Sequence, residues 1–249
     1  MRILISGLGG HMGQQVAKLC AEGCRGAEAV AGVDFVSWES CALPCAPDFE
    51  HAETNVDCVV DFSHHSATEA LLAYGKKNKI PLVIATTGQT DDERAAIEAA
   101  AKEIPIFFAA NFSLGIALLI ELAKKAAAAM PDAEIEIIEA HHDRKIDAPS
   151  GTALAIARAL QTVRPDAEIV TGRSGMGKRS KTEIGVHAIR MGNIPGEHEV
   201  LIGTNNQTIS LKHETHDRAL FAEGALAAAA FLQGKGPGLY DMQSLLAEA

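Results

Sequence analysis

The chain opens on "RILIS" and "GLGGHMGQQVAKL": an unbroken apolar run, a glycine-rich turn, then Val16, Leu19 and Cys20 at helical spacing. The same alternation returns downstream. "AEAVAGVD" (27–34), "DCVVDF" (57–62), "PLVIATTG" (81–88) and "IPIFFAAN" (104–111) are short apolar runs, the pattern of parallel strands covered on both faces. Between them the periodicity of "SATEALLAYGKKNK" and of "DDERAAIEAAAKE" predicts helices, the second with acids in its first turn. An irregular stretch carrying Pro44 and Pro47 separates the second run from the third. Strands alternating with helices through residue 111 predict an α/β fold built on a doubly wound parallel sheet.

After Asn111 the texture changes. "LGIALLIELAKKAAAAM" reads as a long helix ending at Pro131, and "AEIEIIEAHH", "TEIGVHAIR", "HEVLIG" and "QTISLKHE" then alternate polar with apolar, the last two joined by the turn "TNN". This predicts a central α+β domain with a mixed or antiparallel sheet, exposed on one face or paired with a partner subunit. "RALFAEGALAAAAFLQG" returns to helix.

Composition sharpens this picture by exclusion. With 249 residues, 47% hydrophobic and 22% charged, the chain reads as globular, with two modest domains favoured over one large one. A formal charge of -10 argues against nucleic acid as a partner. The apolar runs stop short of the roughly 20 residues that a membrane span requires, and the N-terminus reads as a strand rather than a signal peptide, so the expected location is the cytoplasm. Cys20, Cys24, Cys41, Cys45 and Cys58 include two C-x3-C pairs, but without clustered partners these read as packing or surface thiols, and no metal is expected.

Gly7, Gly9, Gly10 and Gly13 fall between the first strand and the first helix, where glycine lets a pyrophosphate approach backbone amides at a helix start. The strict G-x-G-x-x-G spacing would put its third glycine at Met12, so a purely structural turn is the competing reading. Asp34 ends the second strand 21 positions after Gly13, where an acid accepts bonds from an adenine ribose. No cation lies between Gly26 and Trp38 to meet a 2'-phosphate, so NADH is expected to serve at least as well as NADPH. Thr86 and Thr87 either line the nicotinamide pocket at the carboxyl edge of the sheet or cap the helix that follows.

The densest chemistry lies in "EAHHDRKIDAPSGTALAIARAL", residues 139–160. Ser150 is a good N-cap, with Leu154, Ala157 and Leu160 on one helical face behind it, which leaves the amides of Gly151 and Thr152 free for a carboxylate beside Lys145. His141 and His142 end a strand whose alternation would send them to opposite faces, so both enter one site only if regular pairing stops near Ala140. One of them is a candidate general acid, with Lys145 orienting substrate or assisting protonation. A second basic cluster, Arg173, Lys178, Arg179 and Lys181 in "GRSGMGKRSK", reads either as a mobile loop closing over an anion or as a solvated surface loop.

Together "GLGGHMG", "VVDFS", "IATTG", "AANFSLG", "EAHHDRKIDAPSGTA", "IGVHAIRMGNIPGEHEV" and "HETHDRALFAEGAL" resemble the dihydrodipicolinate reductase family of the diaminopimelate route to lysine, nearly end to end. The resemblance implies reduction of a cyclic dicarboxylate imine by hydride from a nicotinamide cofactor. It implies His141 as proton donor or acceptor, Lys145 as a catalytic proton donor, and His142 with Ser150, Gly151 and Thr152 at the dicarboxylate site. It implies cofactor contacts at Gly7, Leu8, Gly9, Gly10, His11 and Met12, at Asp34, at Ala85, Thr86 and Thr87, and at Ala109, Ala110, Asn111 and Phe112. The domain layout it implies is a Rossmann-type unit, 1–112, completed by a C-terminal helix in 219–249, with a substrate-binding unit, 113–218, that builds a homotetramer. Phe35, where many members carry a basic residue, and His65, where proline is usual, depart from the family pattern. Two rival readings stand beside it: a related dehydrogenase of an aspartate-type substrate, and a non-catalytic NAD sensor.

Overall fold

β1 (Arg2–Ser6) is buried from Ile3 to Ser6 and passes through the glycine turn into α1 (His11–Ala21). Gly7 holds a left-handed φ of +80°, and a Cβ on Gly13 would lie 2.1 Å from the Gly7 carbonyl oxygen. Strand and helix therefore meet backbone to backbone, as the third glycine of a dinucleotide fingerprint requires, although the spacing differs by one residue. Gly13→Ala is expected to cost about 1–3 kcal/mol, because the obstacle is main chain that cannot rotate away; urea denaturation against the parent chain checks it.

The chain then forms β2 (Glu28–Val33), β3 (Cys45–Ala46), β4 (Cys58–Asp61), α2 (Thr68–Asn78), β5 (Leu82–Ile84), α3 (Asp91–Ala100) and β6 (Pro105–Phe108). α4 (Leu114–Ala129), β7 (Glu134–His141), α5 (Gly151–Gln161), β8 (Glu168–Thr171), β9 (Glu183–Arg190), β10 (Glu197–Thr204) and β11 (Gln207–Glu214) follow. The last segment gives α6 (Ala219–Leu232), β12 (Gly238–Tyr240) and α7 (Met242–Ala247). The computed structural model describes residues 1–248, in two units: Met1–Ser113 with the segment from Ala219 onward, and Leu114–Arg218.

In the first unit seven parallel strands take the order β12-β6-β5-β4-β1-β2-β3. Strand order reverses beside β1, between β2 and β4, so the glycine turn lies at the switch point where α/β sheets bind ligands. On one face Leu4, Val59, Leu82, Ile84 and Ile106 pack against Leu71 and Ile97 from α2 and α3, and on the other Ile3, Ile5, Val60, Val83 and Phe107 are buried as well. Two features differ from the sequence reading. β3 adds an edge strand inside the proline-bearing stretch, and the C-terminal segment is not helix alone: Gly234, Gly236 and Pro237 end α6, and β12 then extends the sheet beside β6.

In the second unit five strands take the order β11-β10-β7-β9-β8, a mixed sheet. β10 is antiparallel to both of its neighbours, whereas β7, β9 and β8 run parallel. Ile135 and Ile137 of β7 alternate inward and join Ile184, Val186, Val200 and Ile202 beneath Leu119 and Ala123 of α4 and Ile156 and Leu160 of α5. On α5 the buried stripe is Ala153, Ile156, Ala157 and Leu160, with Leu154 only half-buried.

Candidate active site

The inward row of β7 continues past Ile135 and Ile137 to Glu139 and His141, so the apolar core ends in two titratable side chains. Glu139 is fully buried. Its carboxylate accepts from His141 Nδ1 at 2.6 Å, from both terminal nitrogens of Arg190 at 2.9 and 2.7 Å, and from the Ser150 amide at 2.9 Å. Burial pushes this carboxyl up, but the bonds from His141, Arg190 and Ser150 outweigh it and bring the pKa down to about 2.

His198 stands opposite Glu139 on β10, with its ring centroid 5.2 Å from that of His141 and its Nε2 3.2 Å from Ser150 Oγ. Burial above all, and then the charge of His141, pull its pKa down to about 4, so it is neutral at pH 7. Ser150 caps α5 by accepting from the Ala153 amide, and it is 2% exposed. Its hydroxyl is committed to the cap and to His198.

The strand does not stop at Ala140 on both sides. Pairing with β10 ends at Ala140, whereas pairing with β9 continues to His141 opposite Arg190, because the β9 edge carries the guanidinium that Glu139 holds. His142 leaves the ladder, its amide donating to the Ile194 carbonyl at 2.8 Å, and its Nδ1 is buried without a partner. Burial and then the charges of Arg144, Arg218, His141 and Lys145 lower its pKa.

Lys145 is not a free group. Lys145 Nζ lies 2.8 Å from Asp147 Oδ1, and the bonds from Lys145 and from the Gly151 amide hold that carboxyl below its usual range against a smaller push from burial. The loop thus places a carboxylate of its own beside Lys145. The Gly151 Cα itself faces open space. Thr152 is half-buried in the first turn of α5.

In the loop carrying Arg173 and Arg179 both arginines are paired, whereas Lys178 and Lys181 are exposed. Arg173 pairs with Glu183 and Glu136, and Arg179 with Glu134 and Glu136, since Glu134 and Glu136 alternate onto the outer face of β7.

In the first unit, Gly7, Gly9, Gly10, Asp34 and Phe35 line a cavity of about 480 Å³ with His64 across from them. Asp34 accepts from the amides of Gly9 (2.8 Å), Val36 (3.0 Å) and Ser37 (2.6 Å). Burial pushes its carboxyl up, and the Ser37, Val36 and Gly9 amides bring it below the ordinary carboxylate range. The Gly10 amide donates to Gly7, and the helical ladder begins with Gln14 to Gly10, so the amides of His11, Met12 and Gly13 stand ahead of it. No side chain caps them and no acid occupies the first turn, as a pyrophosphate seat requires. Leu8 is buried against Gly32.

Thr86 is not the cap of α3; Thr90 is, in a capping box with Glu93. The Thr86 hydroxyl donates instead to the buried Asp61 at 2.7 Å, which fixes the 85–87 turn beside the end of β4; Thr87 is exposed on that turn. Ala109 and Ala110 follow β6, Asn111 Oδ1 accepts from the Ser113 amide, and Phe112 is buried against Phe107. All five cysteines are free thiols, and among the described residues no group of three His, Cys, Asp or Glu side chains is arranged to hold a metal.

Family models described as dihydrodipicolinate reductase N-terminus and C-terminus match residues 1–112 and 115–246. The chain belongs to the dihydrodipicolinate reductase family. A 4-hydroxy-tetrahydrodipicolinate reductase of Caldanaerobacter subterraneus subsp. tengcongensis is 46% identical over 99% of this chain and 98% of its own. One from Clostridium tetani is 41% identical over 99% and 97%. The dipicolinate-bound dihydrodipicolinate reductase of Paenisporosarcina sp. TG-14 superposes with a TM-score of 0.78 at 26% identity, covering 97% of each chain. The aspartate dehydrogenase of Thermotoga maritima, at 15% identity and a TM-score of 0.53 over 94% and 97%, shares the fold alone. The family's activity, NAD(P)H-dependent 4-hydroxy-tetrahydrodipicolinate reduction in lysine biosynthesis, is the activity of this chain, and the aspartate-type and sensor readings are not favoured.

Glu139, Arg190 and His198 carry the polar end of the second unit's core and were not singled out in the sequence. Glu139 was within reach, two residues before His141 on one strand face. Arg190 and His198 become visible only through strand register.

Proposed function

We propose that the chain performs this reduction with His141 as the proton donor, Lys145 assisting, and His142, Ser150, Gly151 and Thr152 around the substrate's carboxylates. The observation that carries the reading is the Glu139–His141 pair beside the start of α5: an oriented imidazole, a lysine and a helix N-terminus in one unit. Ser150 serves from behind, through the cap. When bound, the reduced nicotinamide supplies the hydride. Residues Gly7, Gly9 and Gly10, the His11 and Met12 amides and Asp34 would hold the dinucleotide, and the turns at 85–87 and 109–112 would flank it. The proton on His141 then meets the negative charge that develops on the substrate, while Lys145 and the α5 dipole stabilise its carboxylates.

For the cofactor, the reading is NADH preferred or equal to NADPH. Asp34 keeps its negative charge at the ribose edge, and Phe35, half-exposed, stands where a cation would be needed for a 2'-phosphate. Phe35→Arg is expected to raise kcat/KM for NADPH about tenfold, the worth of one charge-assisted contact. The test combines aspartate semialdehyde, pyruvate and the preceding synthase with this protein, and follows NADH and NADPH absorbance separately. Consumption of NADH at least as efficient as of NADPH is expected; oxidation of neither overturns the reading.

The same reading makes the protein a cytoplasmic homotetramer. No helix among the described residues is long and apolar enough to cross a membrane, and Ile138, Leu201 and Ile189 fall on the outer face of the second unit's sheet. Light scattering on the purified chain reads the assembly.

A further inference from the structure

Glu139 is a glutamate with no exposed surface and four N–H donors on its two oxygens: His141 Nδ1, the two terminal nitrogens of Arg190, and the Ser150 amide. A carboxylate offers about four acceptor sites and no donor, so this one is saturated and no water competes for it. The nitrogen of His141 facing it therefore carries a proton. On the other side of the ring, a Cβ built on Gly196 would lie 3.0 Å from His141 Nε2, so what flanks that nitrogen is a residue without a side chain. Arg190 also donates to the Asp147 carbonyl at 2.5 Å, in the loop that carries Lys145. One carboxylate thus ties together the imidazole, the lysine loop and the first turn of α5.

We propose that Glu139 is a positioning residue for the reduction: it fixes a proton on His141 Nδ1, leaving Nε2 as the nitrogen that exchanges a proton with substrate, and it registers α5 against that imidazole. This rests on the reading of His141 as the proton donor. Glu139 itself touches no reacting atom, so it acts through His141, as a carboxylate behind a histidine sets tautomer and ring orientation elsewhere. Its low pKa keeps it an acceptor throughout the working range of pH. His198, held neutral by burial and packed edge-on to His141, adds no competing charge to the same ring.

Glu139→Gln keeps the shape and replaces one oxygen by an NH2 group. That group is a donor among donors, and where it faces His141 the imidazole must accept at Nδ1 and carry its proton on Nε2. The expected result is a fall in kcat of about 100-fold, the upper range for losing the support of a functional histidine, with the KM for NADH within twofold. 15N-resolved NMR of histidine-labelled protein supplies a readout that a merely structural role would not move. In the parent chain neutral His141 should be protonated at Nδ1, and in E139Q the proton should move to Nε2 in a substantial fraction. Parental kcat in E139Q overturns the proposal, and so does an Nε2-protonated neutral His141 in the parent chain; the latter measurement decides the matter even if E139Q does not fold. His141→Gln run in parallel separates the two ideas: near-normal turnover there removes His141 as proton donor, whatever tautomer Glu139 imposes.

Discussion

His141→Gln is expected to lower turnover about 1,000-fold and Lys145→Ala about 100-fold, both within the range that a positioned proton donor contributes. NADH affinity should stay within twofold in each, because the glycine turn and Asp34 belong to the other unit. The two losses differ in kind. His141 is 9% exposed and tied to Glu139, so its removal takes away the proton and leaves a buried carboxylate short of one donor. Lys145 pairs with an exposed aspartate, so its removal weakens charge on the substrate side and should raise the KM for the imine as well. Steady-state kinetics with the enzymatically generated imine, together with NADH titration by fluorescence, check both. Near-normal turnover in either variant removes the role assigned to that residue.

The second large effect is on stability in acid. His198 has a folded pKa of about 4 against 6.5 when unfolded, because burial penalises its charged form. Between those values the unfolded chain binds a proton that the folded chain refuses. Stability therefore falls as pH drops through this window, by roughly 3 kcal/mol over its full width. Glu139 acts lower down with the same sign: its folded pKa of about 2 lies below the unfolded 4.5, so the stability it contributes is complete above 4.5 and is lost as pH falls toward 2. Urea denaturation at pH 7, 5.5 and 4.5 should show the loss, and His198→Gln should flatten it between pH 6.5 and 4. A parent chain equally stable at pH 7 and 4.5 would mean that His198 is not held neutral.

Much of the scaffold was legible because it is written in local pattern. Apolar runs such as "DCVVDF" and "PLVIATTG" are long enough to declare buried strands, and β4 and β5 lie within them. What escaped has physical reasons. β3 is two residues long and β12 three, too short for any period, and β12 exists because β6 offers an open edge. β8 pairs with β9 but carries four residues of which none is buried, so no alternation marks it. In the site, the capping role of Ser150 could be read from its place before an apolar stripe, whereas the saturated carboxylate at Glu139 depends on donors 11 and 51 residues away. Sequence spacing carries helix faces and strand parity; it does not carry the register that sets Arg190 against His141. The arginine-rich loop was legible only in part, for a related reason. Arg173 and Arg179 looked uncompensated along the chain, and their partners lie on β7 and β9.

Asp147 has a consequence for how substrate competes for its place. Its carboxylate already pairs with Lys145, which the proposed function assigns to the substrate side. Under that assignment, recruitment of substrate would exchange one carboxylate partner of Lys145 for another. A tethered rival is always at hand, so a small monocarboxylate gains little by displacing it. Under the proposed roles, a ligand with a second carboxylate held elsewhere in the site has an additional anchor, and Asp147 would then favour dicarboxylates without touching them.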